Sequence, residues 1–466
     1  MKLVMKFGGS CLVSGEGVRR AAEIIVESLR TGNRVVAVVA ALSGVTDELA
    51  LMAKKAEEGH RKDAETILRR LEEKHRKALR DAVGDRGFEV IAEGIEEEFS
   101  RLGRDLNSIG ATRTISTQDL DSLLSYGERL SSRILLGALQ KFGVRAKRLA
   151  NEEVGIITDS AFGKAKPKVE DTFREVRARI APLIEDGICP VVTGFIATDA
   201  TGATTTLGRG GSDYSATLIG AALGADEVWI WIDVDGIMTA DPDIVQNART
   251  LPILSYAEAS ELAHLRSPPL HPKTLEPAMG KSIPVRVKNI FNPTSVGTLI
   301  VQDPEKYEGV VKAVTLVRNA AILTVAGTGM IENPGTAAKV FECMGRNHVN
   351  IMMISQGCSE SSISFLVKGD DLAVALASLN AEFRNKAVIE QIIAEQDVAT
   401  VAAVGAGMRG TPGIASRVFG SVARKGINVL MIAQGSSELN ISFVVSELDG
   451  EEAVRAIHEE FQLQNL

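Results

Sequence analysis

The chain has 466 residues, 45 % of them hydrophobic and 24 % charged, and a formal net charge of −8. Such a length exceeds one ordinary core and implies two or three domains, with the composition of a soluble globular protein. The acidic balance argues against a nucleic-acid partner, which would need clustered basic surface, and no stretch reaches the roughly 18 apolar residues of a membrane span.

Short runs rich in Val and Ile predict buried strands over 3–7, 35–41, 187–192 and 227–232. Helical spacing predicts helices over 17–30, 123–142, 169–185 and 212–223. Strand–helix alternation of this kind implies an α/β fold in three αβα layers around a mainly parallel sheet. Ligands then belong at the carboxyl ends of the strands. The stretch 48–104 is dense in Glu, Lys, Arg and Ala, and predicts a charged helical insertion, about 48–120, with solvated charges over one side of the sheet. Near 300–313 the sequence VQDPEKYEGVVK loses periodicity, so a first domain is expected over 1–302.

Beyond it lies a repeat. Segments 327–367 and 405–445 align without a gap at an offset of 78 residues, pairing Pro334 with Pro412, Asn350 with Asn428 and Gln356 with Gln434. Nearly half the aligned positions are identical, so the tail holds two copies of one small α+β unit, expected over 314–395 and 396–466. Gly405, Gly407 and Gly410 match the dinucleotide pattern G-x-G-x-x-G. The equivalent stretch of the first copy has Glu332 in the third position, which argues for a small-ligand module instead. Cys11, Cys189, Cys343 and Cys358 lie far apart without CxxC spacing, predicting reduced thiols and no metal signature. The N-terminal apolar run is too short for a signal peptide, and a cytoplasmic location is expected.

Three clusters carry chemistry. Lys6, Gly8, Gly9 and Ser10 follow the first strand; a lysine with two glycines and a hydroxyl suits phosphate, although a tight turn would use the same residues. Glu128, in S-Y-G-E-R-L-S-S, is either a helix-start acid or a partner for a substrate ammonium. Arg209 sits in a glycine run with Gly210, Gly211, Ser212 and Asp213 that opens into a helix, where a planar guanidinium and free amides suit an anion. No Walker A pattern is present, and His271 reads as a packed structural histidine.

Taken in order, K-F-G-G-S, Ser43-Gly-Val-Thr46, S-Y-G-E-R-L-S-S, T-T-L-G-R-G-G-S-D, D-V-D-G at 233–236 and H-P-K at 271–273 resemble the aspartokinases of the amino-acid kinase superfamily. The tail resembles their tandem ferredoxin-like ACT domains. The resemblance implies an aspartate kinase that uses ATP and Mg²⁺, feedback-regulated as the first step of a lysine, threonine and methionine pathway, without a fused homoserine dehydrogenase. It gives Lys6 and Asp213 catalytic roles and puts aspartate against Thr46, Glu128, Phe195, Arg209 and Ser212. It puts the nucleotide against Trp231, Asp233, Gly236, Met238, Asp241 and Lys273. An amino-acid effector, threonine or lysine, is expected around Met330, Asn350, Ile351, Gln356, Asn428 and Gln434. Threonine is favoured because 351–356 holds no acid. A homodimer, or a dimer of dimers, through the ACT pair is implied.

The nucleotide side departs from the family pattern. Ile232 replaces a hydroxyl, Met238 an aromatic ring and Asp243 an arginine, while Pro268 stands where a lysine is usual. Two lost cations and a gained anion weaken triphosphate binding unless Arg266 or Lys273 compensates. The alternatives to an active aspartate kinase are a catalytically weak regulatory paralogue, and a kinase with another donor or acidic substrate.

Overall fold

The computed structural model describes residues 1–265, 270–304, 309–383 and 388–466. Arg266, Pro268 and part of the expected boundary near 300–313 lie outside the described residues. The backbone forms two compact units, the first from 1–237, 252–256 and 270–304, the second from 238–251, 257–265 and 309–466.

In the first unit β1 (Lys2–Phe7) pairs with β2 (Arg34–Val39), and the sheet continues through β3 (Ala146–Leu149) and β4 (Cys189–Thr193). A small hairpin, β5 (Ile196–Thr198) and β6 (Thr204–Thr206), lies apart from that sheet. The sheet's other half is β7 (Glu227–Ile232), β8 (Ile253–Ser255), β9 (Val285–Asn289) and β10 (Thr298–Val301). The order is β3-β4-β2-β1-β7-β9-β10-β8, parallel throughout except between β9 and β10. The expected strand over 227–232 has those limits, and the other three agree to within two residues at each end.

The helices of this unit are α1 (Gly15–Arg30), α2 (Val45–Glu57), α3 (Arg61–Val83), α4 (Asp85–Thr112), α5 (Thr117–Leu124), α6 (Tyr126–Lys141), α7 (Val169–Glu185) and α8 (Gly211–Leu223). The helix expected over 123–142 is two helices meeting at Ser125, with Ser116 and Asp119 forming a capping box at the start of α5. Side chains alternate across a strand, so Leu3, Met5 and Phe7 enter one core with α1, α3, α4 and α6. Val4 and Lys6 point to the other face, where α8 lies.

The insertion is helical as expected, but one of its charges is not solvated. Glu98 is 2 % exposed and pairs with Arg129, with Arg133 at 2.9 Å and with Arg148 at 3.7 Å.

In the second unit β11 (Ala313–Ala326), β12 (Met353–Gln356), β13 (Ser362–Lys368), β14 (Gln391–Val404), β15 (Met431–Ala433) and β16 (Asn440–Ser446) make one antiparallel sheet, ordered β12-β13-β11-β14-β16-β15. The two long strands are shared. Residues 313–317 of β11 pair with the second half of β14, and residues 320–326 pair with its first half, across a bulge. Val314 accordingly packs in the core of the second repeat, with Val401 and Phe443, while Leu323 packs in that of the first, with Phe365. Contiguous limits of 314–395 and 396–466 thus cut across the pairing. The G-x-G-x-x-G stretch forms a single 3-10 turn, Ala406–Met408, and the next helix starts only at Ile414. That is not the strand–loop–helix of a dinucleotide site.

Candidate active site

A cavity of about 380 Å³ in the first unit collects the carboxyl end of β1, the loop before α2, the start of α6 and the glycine loop before α8. Its wall includes Lys6, Gly9, Ser10, Thr46, Glu128 and Phe195, and from the last loop Arg209, Gly210, Gly211, Ser212 and Asp213. Residues more than 200 positions apart thus meet around one space. Gly8 stands just behind it, and a side chain there would come within 2.9 Å of the Lys6 ammonium.

Lys6 is 7 % exposed and paired with Asp213, which belongs to the first turn of α8. β1 presents the lysine from below and α8 presents the carboxylate from above, so the pair fixes the ammonium at the cavity floor. The helix N-terminus beside it has no side-chain cap, leaving amide N–H groups and the positive end of the helix dipole toward the same space. The chain reaches that helix through Gly210, whose φ of 73° is left-handed and whose side, if it bore a Cβ, would strike His271 at 2.5 Å. Arg209 in this loop is exposed and makes no ion pair among the described residues.

Glu128 lies at the opposite wall. It is 3 % exposed; one carboxylate oxygen accepts from the Ala41 N–H at 3.1 Å, and the other has no partner among the described residues. Burial raises its pKa to about 8, against the smaller opposing effect of that hydrogen bond. Phe195 adopts φ 64°, a left-handed value rare for a residue with a large side chain. Its N–H donates to Ser215 Oγ at 3.0 Å. Cys11, near Lys6, donates to the Trp231 carbonyl, and burial pushes its thiol up to about 12, so it is no nucleophile.

The nucleotide candidates are divided between the two units. Phe7 and Trp231 are register partners, so the Trp231 indole lies on the sheet face opposite Lys6, stacked on the Phe7 ring at 6.1 Å. The Trp231 backbone carbonyl, by contrast, lies on the Lys6 side, where a Cβ on Gly8 would come within 3.6 Å of it. Asp233 is exposed just beyond β7, and Gly236 follows it with φ 125°. Lys273 is exposed and makes no ion pair among the described residues. Met238 and Asp241 belong to the second unit, where Asp241 accepts from the Asp243 N–H in a local turn. His271 accepts from the Lys273 N–H, in keeping with a structural histidine.

Of the effector candidates, Asn350 and Ile351 line a cavity of about 500 Å³ in the second unit, with Met352 and Met353, and with Glu261 bonded to Asn440. Met330 is buried in the core of the first repeat; Gln356, Asn428 and Gln434 are exposed outside that cavity.

Asp121 escaped the sequence reading. It is 1 % exposed, accepting from Gly163 N–H, Thr206 N–H and Thr206 Oγ, and so anchors the strand that leads to the glycine loop. Only its helical phase, one residue from the apolar side of α5, hinted at burial.

Comparison with known proteins agrees with this geometry. The profile of the Amino acid kinase family matches residues 1–289, and that of the ACT domain matches 323–383 and 401–461. Aspartokinase 1, chloroplastic, of Arabidopsis thaliana is 34 % identical over 468 residues, covering 98 % of this chain and 80 % of that protein. The bifunctional aspartokinase/homoserine dehydrogenase 2, chloroplastic, of the same plant is 34 % identical over 478 residues, and this chain spans 50 % of its length. E. coli aspartokinase III in complex with aspartate and ADP superposes with a TM-score of 0.83 at 29 % identity, covering 99 % of this chain and 100 % of that one. The same enzyme with lysine and aspartate gives 0.81 at 30 % identity, covering 98 % and 99 %.

Proposed function

The chain belongs to the amino acid kinase family, among the aspartokinases with paired ACT domains, and from that premise we propose that it is an aspartate kinase. It transfers the γ-phosphoryl group of ATP to the β-carboxylate of L-aspartate, giving 4-phospho-L-aspartate and ADP. The observation that carries this reading is Glu128: a buried carboxylate with one oxygen unpartnered, in the same cavity as a free arginine and a lysine. A buried carboxyl of that kind ionises readily only beside a cation, and the ammonium of an amino acid supplies one. Arg209 is a planar fork for a carboxylate of the same molecule, with Thr46, Ser212 and the Phe195 ring closing the pocket around it.

The β-carboxylate is already ionised at neutral pH, so no general base is required. One of its oxygens attacks the γ-phosphorus, the bond to the bridging oxygen breaks, and ADP leaves with the electron pair. Charge gathers on the phosphoryl oxygens, and Lys6, held by Asp213, stands with Gly9, Ser10, Gly210, Gly211 and the α8 amides to meet it. Among the described residues no group of three or more His, Cys, Asp or Glu could hold a metal ion. Mg²⁺ would supply charge neutralisation on the nucleotide phosphates. ATP as donor is supported by the ADP bound to the E. coli relative.

Regulation belongs to the same reading. The ACT pair takes an amino-acid effector, and the cavity at Asn350 and Ile351 supports a site there. The acid-free strand 351–356 supports threonine, and Glu261 in the cavity wall supports lysine; inhibition of turnover by one and indifference to the other assigns it. A homodimer through the ACT sheet and a cytoplasmic location complete the proposal, the latter supported by four cysteines far apart in sequence without CxxC spacing.

The test is steady-state turnover with aspartate and ATP. Lys6→Ala is expected to lower kcat at least a hundredfold, about 3 kcal/mol of barrier, while calorimetry still detects aspartate binding. Near-normal turnover in that variant refutes the assignment of Lys6.

A further inference from the structure

The first unit holds a larger cavity, about 580 Å³, that shares no residue with the substrate cavity. It opens on the sheet face opposite Lys6. Ile24 of α1, Phe142, Trp229 and Trp231 stand in its wall, with Arg20 also lining it. Charged side chains share the lining, Arg20 and Arg30 with Glu23 and Glu27, and aromatic walls with placed polar groups, at this size, are the usual make-up of a small-molecule site.

Two polar groups there lack counterparts. The Trp229 indole N–H donates to Glu227 at 2.6 Å, whereas the Trp231 N–H, on a residue 1 % exposed, has no acceptor among the described residues. A buried donor left so is costly, and an acceptor brought to it recovers that cost. The charges around the cavity are also unevenly matched. Glu23 faces Arg19 at 3.8 Å and Glu27 faces Arg30 at 4.0 Å, leaving Arg20 with no ion pair among the described residues. Its guanidinium rests over the half-exposed ring of Phe291, at 5.6 Å. A second cation, Lys288, stands over both indoles at 5.4 and 5.5 Å.

We propose that this cavity binds a small planar aromatic carboxylate, its ring against Trp229 and Phe142 and its carboxylate shared between Arg20 and the Trp231 N–H. Aromatic walls select a flat ring, and the unpaired guanidinium with the unmade N–H selects an anionic acceptor over a cation. The proposal is separate from the aspartate site, because none of these residues lines the substrate cavity.

The chain contains two tryptophans, and both line this cavity. Tryptophan emission therefore reports on the site alone. The full-length protein is titrated with benzoate, with benzylamine and with cyclohexanecarboxylate, and each midpoint is checked by calorimetry. Benzoate is expected to give a saturable change, with benzylamine and cyclohexanecarboxylate at least about tenfold weaker. Arg20→Gln is expected to weaken benzoate by a similar factor while leaving aspartate turnover unchanged. No saturable response to benzoate, an equal response to benzylamine, or an Arg20→Gln variant that binds benzoate as the parent does would each overturn the proposal.

Discussion

Glu128 sits at the point where folding and binding pull in opposite directions. Its pKa is raised from 4.5 to about 8 by burial, so the folded chain holds this proton more tightly than the unfolded one. The group is therefore neutral and harmless below pH 4.5. As pH rises from there to about 8 the folded state loses stability relative to the unfolded, by on the order of 3 kcal/mol at pH 7. Glu128→Gln removes that slope: urea denaturation from pH 5 to pH 8 should find the variant gaining on the parent as pH rises. Aspartate binding reverses the balance, since a substrate ammonium favours the ionised carboxylate. Calorimetry at pH 7 in buffers of different ionisation enthalpy should then register release of most of a proton per aspartate bound. Affinity should climb toward pH 8, and a binding enthalpy independent of buffer would remove Glu128 as the ammonium partner. Phe195 offers a second trade at this scale. An aromatic side chain held at φ 64° costs about 1–2 kcal/mol. Phe195→Gly should therefore be about 1 kcal/mol more stable than Phe195→Ala, with aspartate KM raised in both. Equal stabilities would mean that the backbone there carries no strain.

The helical insertion shows how far periodicity can be trusted. Its length and helical character are legible in AETILRRLEEKHRKALRDAV, and so is the apolar stripe Ile95, Phe99, Leu102 and Leu106 that turns toward the core. Glu98 was read as solvated along with its neighbours, yet it is three residues after Ile95 and four before Leu102, on the stripe itself. What the sequence could not supply were its partners, because Arg129, Arg133 and Arg148 come from α6 and β3. Removing the carboxylate leaves three guanidinium groups crowded without their shared anion, one of them, Arg148, already lowered to about 10 by burial and by Arg133. Glu98→Gln should destabilise the chain by about 3 kcal/mol. It should also raise aspartate KM more than it lowers kcat, since α6 carries Glu128. A variant with parental melting temperature and parental KM would show the cluster to be incidental. The same limit explains Trp231. The run over 227–232 is plainly a strand, but its register against β1, and hence the face of its indole, depends on a pairing across more than 200 residues. Lys6, Glu128 and the Arg209 loop were legible because each carries its own local chemistry.

At the scale of the chain, the repeat was visible as an offset of 78 residues, but the way its copies combine was not. Exchange of strand halves between β11 and β14 is a matter of which edges meet, and identical patterns in both copies cannot decide it. The exchange has a consequence for assembly. With β11 and β14 central, the sheet ends in two short strands, β12 and β15, that are repeat equivalents. Each exposes an isoleucine at the same repeat position, Ile354 at 48 % and Ile432 at 47 %. Exposed apolar edge strands pair with other chains unless something blocks them, and here no proline interrupts either strand. A glutamate at either position sets a charge where the next chain would pack. Sedimentation of the parent should give a dimer, and Ile354→Glu should weaken it at least about tenfold, with Ile432→Glu telling whether one edge or both take part. Because each long strand serves both copies, a charge on one outer edge leaves the central pairing untouched, so the variants should keep the parental circular dichroism. Should both sediment as the parent does, the subunits meet through another surface, and the ACT sheet acts on the kinase from within a single chain.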